Sequence, residues 1–154
     1  MRLLFRLFAT VSGLAILLVL AAPLILYAWG LSTVDGRPQR PVQMASSVEQ
    51  SRIWKQAGGS EPTVVKKMNP YGFFGRYLDD HYRAPSGEVA AYWIARAYLL
   101  EHRREPGMGA WHGGAAALTI WITRNWSTEE ILTVAAQTVS ADPRAPLTPP
   151  KKQE

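Results

Sequence analysis

Apolar residues occur in two arrangements along this chain. There is one unbroken block near the start, and then short groups at helical spacing. From Leu7 to Leu31, 25 consecutive positions carry no charge. At about 1.5 Å rise per residue, a helix of that length crosses a hydrocarbon core of roughly 30 Å. Arg2 and Arg6 precede the block. Tyr27 and Trp29 close it, where aromatic side chains sit at a membrane interface. Pro23 is tolerated inside a membrane helix, because neighbouring groups satisfy the freed carbonyl. The rival reading is a cleaved signal peptide, with an apolar stretch of about 7–15 residues and a small-x-small cleavage site. Here the stretch is longer, and Ala22-Pro23 makes a poor junction. An uncleaved anchor over 1–31 is expected. The short N-terminal flank favours N-in, although Arg37 and Arg40 follow closely on the other side.

Residues 32–41 read as a polar linker containing Gly36, Pro38 and Pro41. Ser46-x-x-Glu49 reads as a capping box opening a helix to about Ala57. Gly58 to Pro62 ends it. Thr63 to Met68 fits either a short strand or an extended link. Asn69-Pro70 starts the next helix, with asparagine as N-cap and proline at the first helical position. Phe73, Phe74, Tyr77 and Leu78 follow at helical spacing. After the break at 84–87, with Ser86 as cap, Ala90, Ala91, Ile94, Ala95 and Tyr98 form one apolar face. Pro106-Gly107 separates that helix from Met108 to Trp126. A second capping box, Ser127-x-x-Glu130, leads a helix through Ile131, Leu132 and Val134 to about Val139. Residues 141–154 form a Pro-rich tail whose composition predicts disorder. The fold class expected is all-α: one N-terminal transmembrane helix, then a small helical domain over 42–140.

Gly107 to Thr123 is also free of charge, for 17 residues. It fits a second membrane segment or a buried core helix. Its short length, with His112, Gly113 and Gly114 inside it, favours the core helix.

Composition narrows the function classes. The chain has no cysteine, which excludes a disulfide framework and a thiolate metal site. Its net charge is +5, and without Arg2 and Arg6 there remain 15 basic against 12 acidic residues. That excess is too weak and too dispersed for a nucleic-acid stripe. It suits a position near anionic lipid headgroups. The part beyond the anchor is large enough for one small core.

Catalytic signals are sparse. His81, His102 and His112 show no metal-ligand spacing, so neither a metal nor another cofactor is expected. Asp79-Asp80 are adjacent, and on a helix they point to different faces. Gly58-Gly59 and Gly113-Gly114 do not follow a strand as a phosphate loop does. Ser46 and Ser47 lack a Gly-x-Ser-x-Gly context. Glu49 is the acid with the most suggestive setting, on the first helix after the linker and beside Arg52 and Trp54. Its place is equally explained by the capping box.

Pro41 to Gly58, P-V-Q-M-A-S-S-V-E-Q-S-R-I-W-K-Q-A-G, resembles the first motif of the family 51 glycosyltransferases, the peptidoglycan transglycosylases. That motif is an apolar-small run, then Glu-Asp, an aromatic, a His and a Gly. Glu49 falls on the family's catalytic glutamate and Gly58 on its glycine. Gln50, Ile53 and Gln56 replace the aspartate, the usual Phe and the histidine. Pro70 to Arg76 resembles the next segment, with its Gly-x-x-Arg-like helix. Ser86 to Leu100 is similar in pattern to Gly-Gly-Ser-Thr-Ile-Thr-Gln-Gln-Leu-Ala-Lys-Asn-Leu-Phe-Leu. Arg96 keeps the basic position there, while Glu88, Tyr92 and Trp93 stand for Ser, Gln and Gln. Ser127 to Gln137 resembles Ser-Lys-x-Glu-Ile-Leu-Glu-x-Tyr-Leu-Asn. The likeness spans Pro41 to Gln137, with no motif intact. The second essential glutamate falls near Ala115, and Trp111 and His112 stand for a basic pair.

The resemblance implies a lysozyme-like helical domain on the outer face of a bacterial inner membrane, acting on a lipid-linked disaccharide. Such chemistry needs a carboxylate base and cations on the departing pyrophosphate. Glu49 would be the base. Arg52, Arg96 and Arg124 would be the substrate-binding cations, with His112 a further candidate. The losses imply a catalytically inactive relative that binds lipid-linked glycan or a cell-wall synthesis partner, beside membrane lipid. The reading from another class is a small single-pass interaction protein with no enzymatic ancestry.

Overall fold

The computed structural model describes residues 2–60, 63–76, 79 and 81–141. Tyr77, Leu78, Asp80 and the Pro-rich tail from 142 lie outside the described residues. The fold is all-α, with six helices among those residues: α1 (Arg2–Ser32), α2 (Ser47–Gln56), α3 (Pro70–Gly75), α4 (Ser86–His102), α5 (Met108–Asn125) and α6 (Thr128–Ala141). The segment Thr63 to Met68 is an extended link without strand pairing.

One helix, Arg6–Ser32, is long and apolar enough to cross a membrane. Its side chains from Leu14 to Leu20 are exposed, as are Leu24, Ile25, Leu26 and Trp29. Its last turns nevertheless dock on the domain. Thr33 Oγ1 reaches the carbonyl of Ala110, Gly30 lies on Gly113 and Ala117, and Tyr27 packs against Met68, Phe73, Ala116 and Ile120. Rising numbers on α1 meet falling numbers on α5, so the two helices run antiparallel. The free part of α1 therefore leaves the domain at the end that carries Asn125.

The segment 32–41 is packed rather than free. Thr33 and Val34 are buried, and Val34 forms an antiparallel bridge to Arg103. Asp35 N–H donates to the His102 carbonyl at 2.8 Å, and Arg104 N–H to the Thr33 carbonyl at 2.9 Å. The polar composition of the segment hides these pairings, because backbone groups make them.

α5 is the central helix. Ala110, the run Gly114 to Ile120, Ile122 and Thr123 are all buried, which matches a core helix. It lies between α1 and α4 and also touches α3. Leu99 of α4 packs on Gly114, while Glu88, Val89 and Tyr92 face Ala115, Ala116 and Thr119 across a cavity. α4 is thus antiparallel to α5 as well. Small residues on both helices allow the close approach. α6 and α2 complete the main core with Ile131, Leu132, Ala135, Ile53 and Trp54.

Cap chemistry mostly follows the sequence. Asn69 Oδ1 accepts from Gly72 N–H at 2.7 Å. Ser127 and Glu130 form a reciprocal capping box: Glu130 N–H donates to Ser127 Oγ at 3.2 Å and Ser127 N–H to Glu130 Oε2 at 2.7 Å. Ser46 makes half of one, accepting from Glu49 N–H at 3.3 Å. Ser86 is not a cap. It is already the first helical residue, and extended Pro85 takes the N-cap position with no side-chain bond. The carbonyl of Pro85 accepts from Glu88 and Val89 instead.

Candidate functional site

Glu49 stands in the first turn of α2, where the helix dipole favours a negative charge. Its carboxylate lies 3.7 Å from the Arg52 guanidinium, and both side chains are about half exposed to solvent (42% and 54%). A surface pair of this kind contributes little stability.

Arg96 is elsewhere. It is exposed on α4 and lines a cavity of about 550 Å³ between α4 and α6. Trp93, Tyr98, Glu101 and Gln137 share that lining, and neither Glu49 nor Arg52 does. Tyr98 stacks flat on His102 with ring centroids 3.9 Å apart, and its hydroxyl donates to the Asp35 carbonyl at 2.8 Å. Burial pushes the Tyr98 phenol above its ordinary value. The wall is therefore fixed at one end by a held aromatic ring.

Arg124 serves the fold. From the last turn of α5 it donates to the Met68 carbonyl at 3.2 Å, holding the extended 63–68 segment. The same segment is fixed by Met68 N–H to Thr123 Oγ1 at 3.4 Å and Val65 N–H to Thr128 Oγ1 at 3.1 Å. So the structure joins Glu49 to Arg52, and puts Arg96 and Arg124 to separate uses.

A polar cluster that local reading missed lies beside α4. Glu88 is 12% exposed and accepts from Arg76 at 2.7 Å. The Tyr82 hydroxyl donates to the same carboxylate oxygen at 2.5 Å, and Arg76 also lies over the Tyr82 ring. Burial and the Glu88 carboxylate push the Tyr82 phenol up to about 12. Glu88 lines two cavities. One, of about 270 Å³, includes Tyr92, His112 and Thr119. The other, of about 320 Å³, includes Lys66, Lys67 and Ser86. The only sequence signal was an acid in the first turn of α4, which any helix of this kind carries. With one oxygen held by two donors, Glu88 ties Arg76, at the end of α3, and Tyr82 to α4.

His112 is exposed at the rim of the smaller cavity, and Ala115 faces that cavity without a titratable group. Among the described residues no group of three or more His, Asp or Glu side chains is placed to hold a metal ion. No protein-family model, curated protein or solved structure matches this chain.

Proposed function

We propose that this chain is a single-pass membrane module, a non-catalytic relative of the peptidoglycan transglycosylases, that binds lipid-linked glycan. In this reading α1 is anchored N-in in a bacterial inner membrane, and the helical domain lies on the outer face. The observation that carries the binding half is the α4–α6 cavity. It is mostly apolar and presents the Trp93 ring beside Arg96, Glu101 and Gln137. An aromatic face with a few convergent polar groups is the form of a small-molecule site, and a sugar ring is the ligand this reading assigns to it. The observation that carries the non-catalytic half is the Glu49–Arg52 pair, which stands on the surface outside that cavity. A base alone supplies about 10²–10⁴-fold, and the cations that a leaving pyrophosphate needs are not gathered: Arg124 lies against the Met68 carbonyl and does not line the cavity that holds Arg96.

The test is to incubate the full chain in detergent with lipid-linked disaccharide and to follow both polymer and tryptophan emission. Saturable quenching, weakened in Trp93→Ala and Arg96→Ala, with no polymer, is the expected result. Polymer that disappears in Glu49→Gln would overturn the non-catalytic half. Absence of both polymer and binding would favour the plain interaction protein.

A further inference from the structure

The end of the domain from which α1 emerges is the end that carries the largest set of exposed apolar side chains outside α1. Val42 is fully exposed, and Met44, Val48, Val64 and Tyr71 are exposed too. Their placement follows from their neighbours. Ala45 N–H donates to Thr133 Oγ1 in the second turn of α6, and the same hydroxyl touches Met44, so the chain from Arg40 to Ala45 runs beside the first half of α6. Val65 is tied to Thr128, and α3, which bears Tyr71, packs on α1. Arg40 donates to the Asn125 carbonyl at 2.7 Å.

Length sets the level of this end against a bilayer. The 21 residues from Leu7 to Tyr27 rise about 31 Å, against a hydrocarbon core of roughly 30 Å. The interface then falls at Tyr27. Tyr27 packs against the cluster that Met68 and Phe73 form with Ala116 and Ile120, and α1 touches α3. The 63–71 segment is thereby brought to headgroup depth.

Charge completes the match. Lys66 and Lys67 are exposed in this segment, and neither is ion-paired among the described residues. Of the nearby acids among the described residues, Glu88 shares a cavity with both lysines but pairs with Arg76, Glu49 pairs with Arg52 and Glu130 with Arg40, while Glu129 is in none of these pairs. Cations beside a bilayer are attracted to anionic headgroups.

We propose that this face is a lipid-contact surface: Val42, Val64 and Tyr71 enter the headgroup layer of the bilayer that holds α1, and Lys66 and Lys67 meet anionic headgroups. The inference rests on the membrane-anchored reading above. It makes the domain lie on the membrane with a defined side down, rather than swing on a tether.

The chain has no cysteine, so one introduced cysteine is unique. Val42→Cys and Val64→Cys report the lipid-facing end, and Leu100→Cys and Met108→Cys the opposite end. Each full-length variant, carrying an environment-sensitive dye, is placed in phosphatidylcholine vesicles with or without phosphatidylglycerol. Both mixtures contain a headgroup-labelled nitroxide lipid. Flotation is measured first: chain that fails to float overturns the anchored reading itself. For chain that floats, blue-shifted and quenched emission at 42 and 64, but not at 100 and 108, is expected. In phosphatidylglycerol vesicles, Lys66→Glu with Lys67→Glu should relieve that quenching. Floated chain with all four dyes equally unquenched overturns the surface. Quenching at 42 and 64 that ignores both phosphatidylglycerol and the charge reversal overturns its preference for anionic headgroups.

Discussion

Gly30 of α1 and Gly113 of α5 meet backbone to backbone: a Cβ on Gly30 would lie 2.3 Å from the Gly113 carbonyl oxygen. On the other side of the contact, a Cβ on Gly113 would lie 2.4 Å from the Trp29 ring. Two missing side chains let α1 sit directly on the central helix.

Gly30→Leu should separate the two helices. Overpacking a tight contact costs about 1–3 kcal/mol. The expected outcome is a lower melting temperature of the detergent-solubilised chain, with far-UV helicity retained. Gly13→Leu is the control, since nothing lies within 4 Å of a Cβ at Gly13. Equal melting temperatures for the two variants would show that α1 is not docked.

Leu118 and Ile120 are both fully buried on α5, in the main core and in the smaller cluster with Met68 and Phe73 respectively. Leu118→Ala and Ile120→Ala should each destabilise the protein by about 2–5 kcal/mol. Chemical denaturation in a fixed detergent measures both. Unchanged midpoints would refute the central placement of α5.

Glu130 is shared by two roles, closing the capping box of α6 and pairing with Arg40 at 3.2 Å. Ser127→Ala should cost about 0.5–2 kcal/mol through the lost cap. Glu130→Ala should cost more, since it also frees the clamp from Arg40 to the end of α5. The ordering of the two denaturation midpoints is the check.

Tyr82 gives a pH signature. Its folded value of about 12 lies above the ordinary 10.0, because burial and then the Glu88 carboxylate disfavour the phenolate. A raised folded value means that the contribution to stability is fully present below pH 10. It is lost as pH rises from about 10 through 12. Absorbance at 295 nm should show a late-titrating component that is reduced by one tyrosine in Tyr82→Phe. In Glu88→Gln it should titrate earlier but still above 10, since burial is the larger cause. No change on removing Glu88 would break the proposed coupling.

Apolar spacing and cap residues were enough to place α2, α4 and α6 within a few residues, and the two uncharged runs placed α1 and α5. The caps at Asn69 and Ser127 were legible for the same local reason: a side chain and a backbone N–H three positions on. The extended link at 63–68 was less so. Its pairing to Thr123, Arg124 and Thr128 spans more than 50 residues of chain.

The candidate site was legible only as residue types. Glu49 and Arg52 are neighbours on one helix turn, so their pairing followed from spacing. That they stand apart from Arg96, and that Arg124 reaches the Met68 carbonyl, depends on how α2, α4 and α5 cross and on the path of the 63–68 link. The Arg76–Tyr82–Glu88 cluster likewise joins a short helix, a loop and a longer helix.

By itself, then, the sequence determined the helices, the long apolar first one among them, and the central place of α5, since these follow from apolar spacing and from the length of the uncharged runs. Tertiary structure alone decided that the segment 32–41 is packed and that α1 lies on α5. Only it could set which end of the domain faces along the anchor. Those depend on backbone groups and on the absence of side chains at Gly30 and Gly113, features with no periodicity to read.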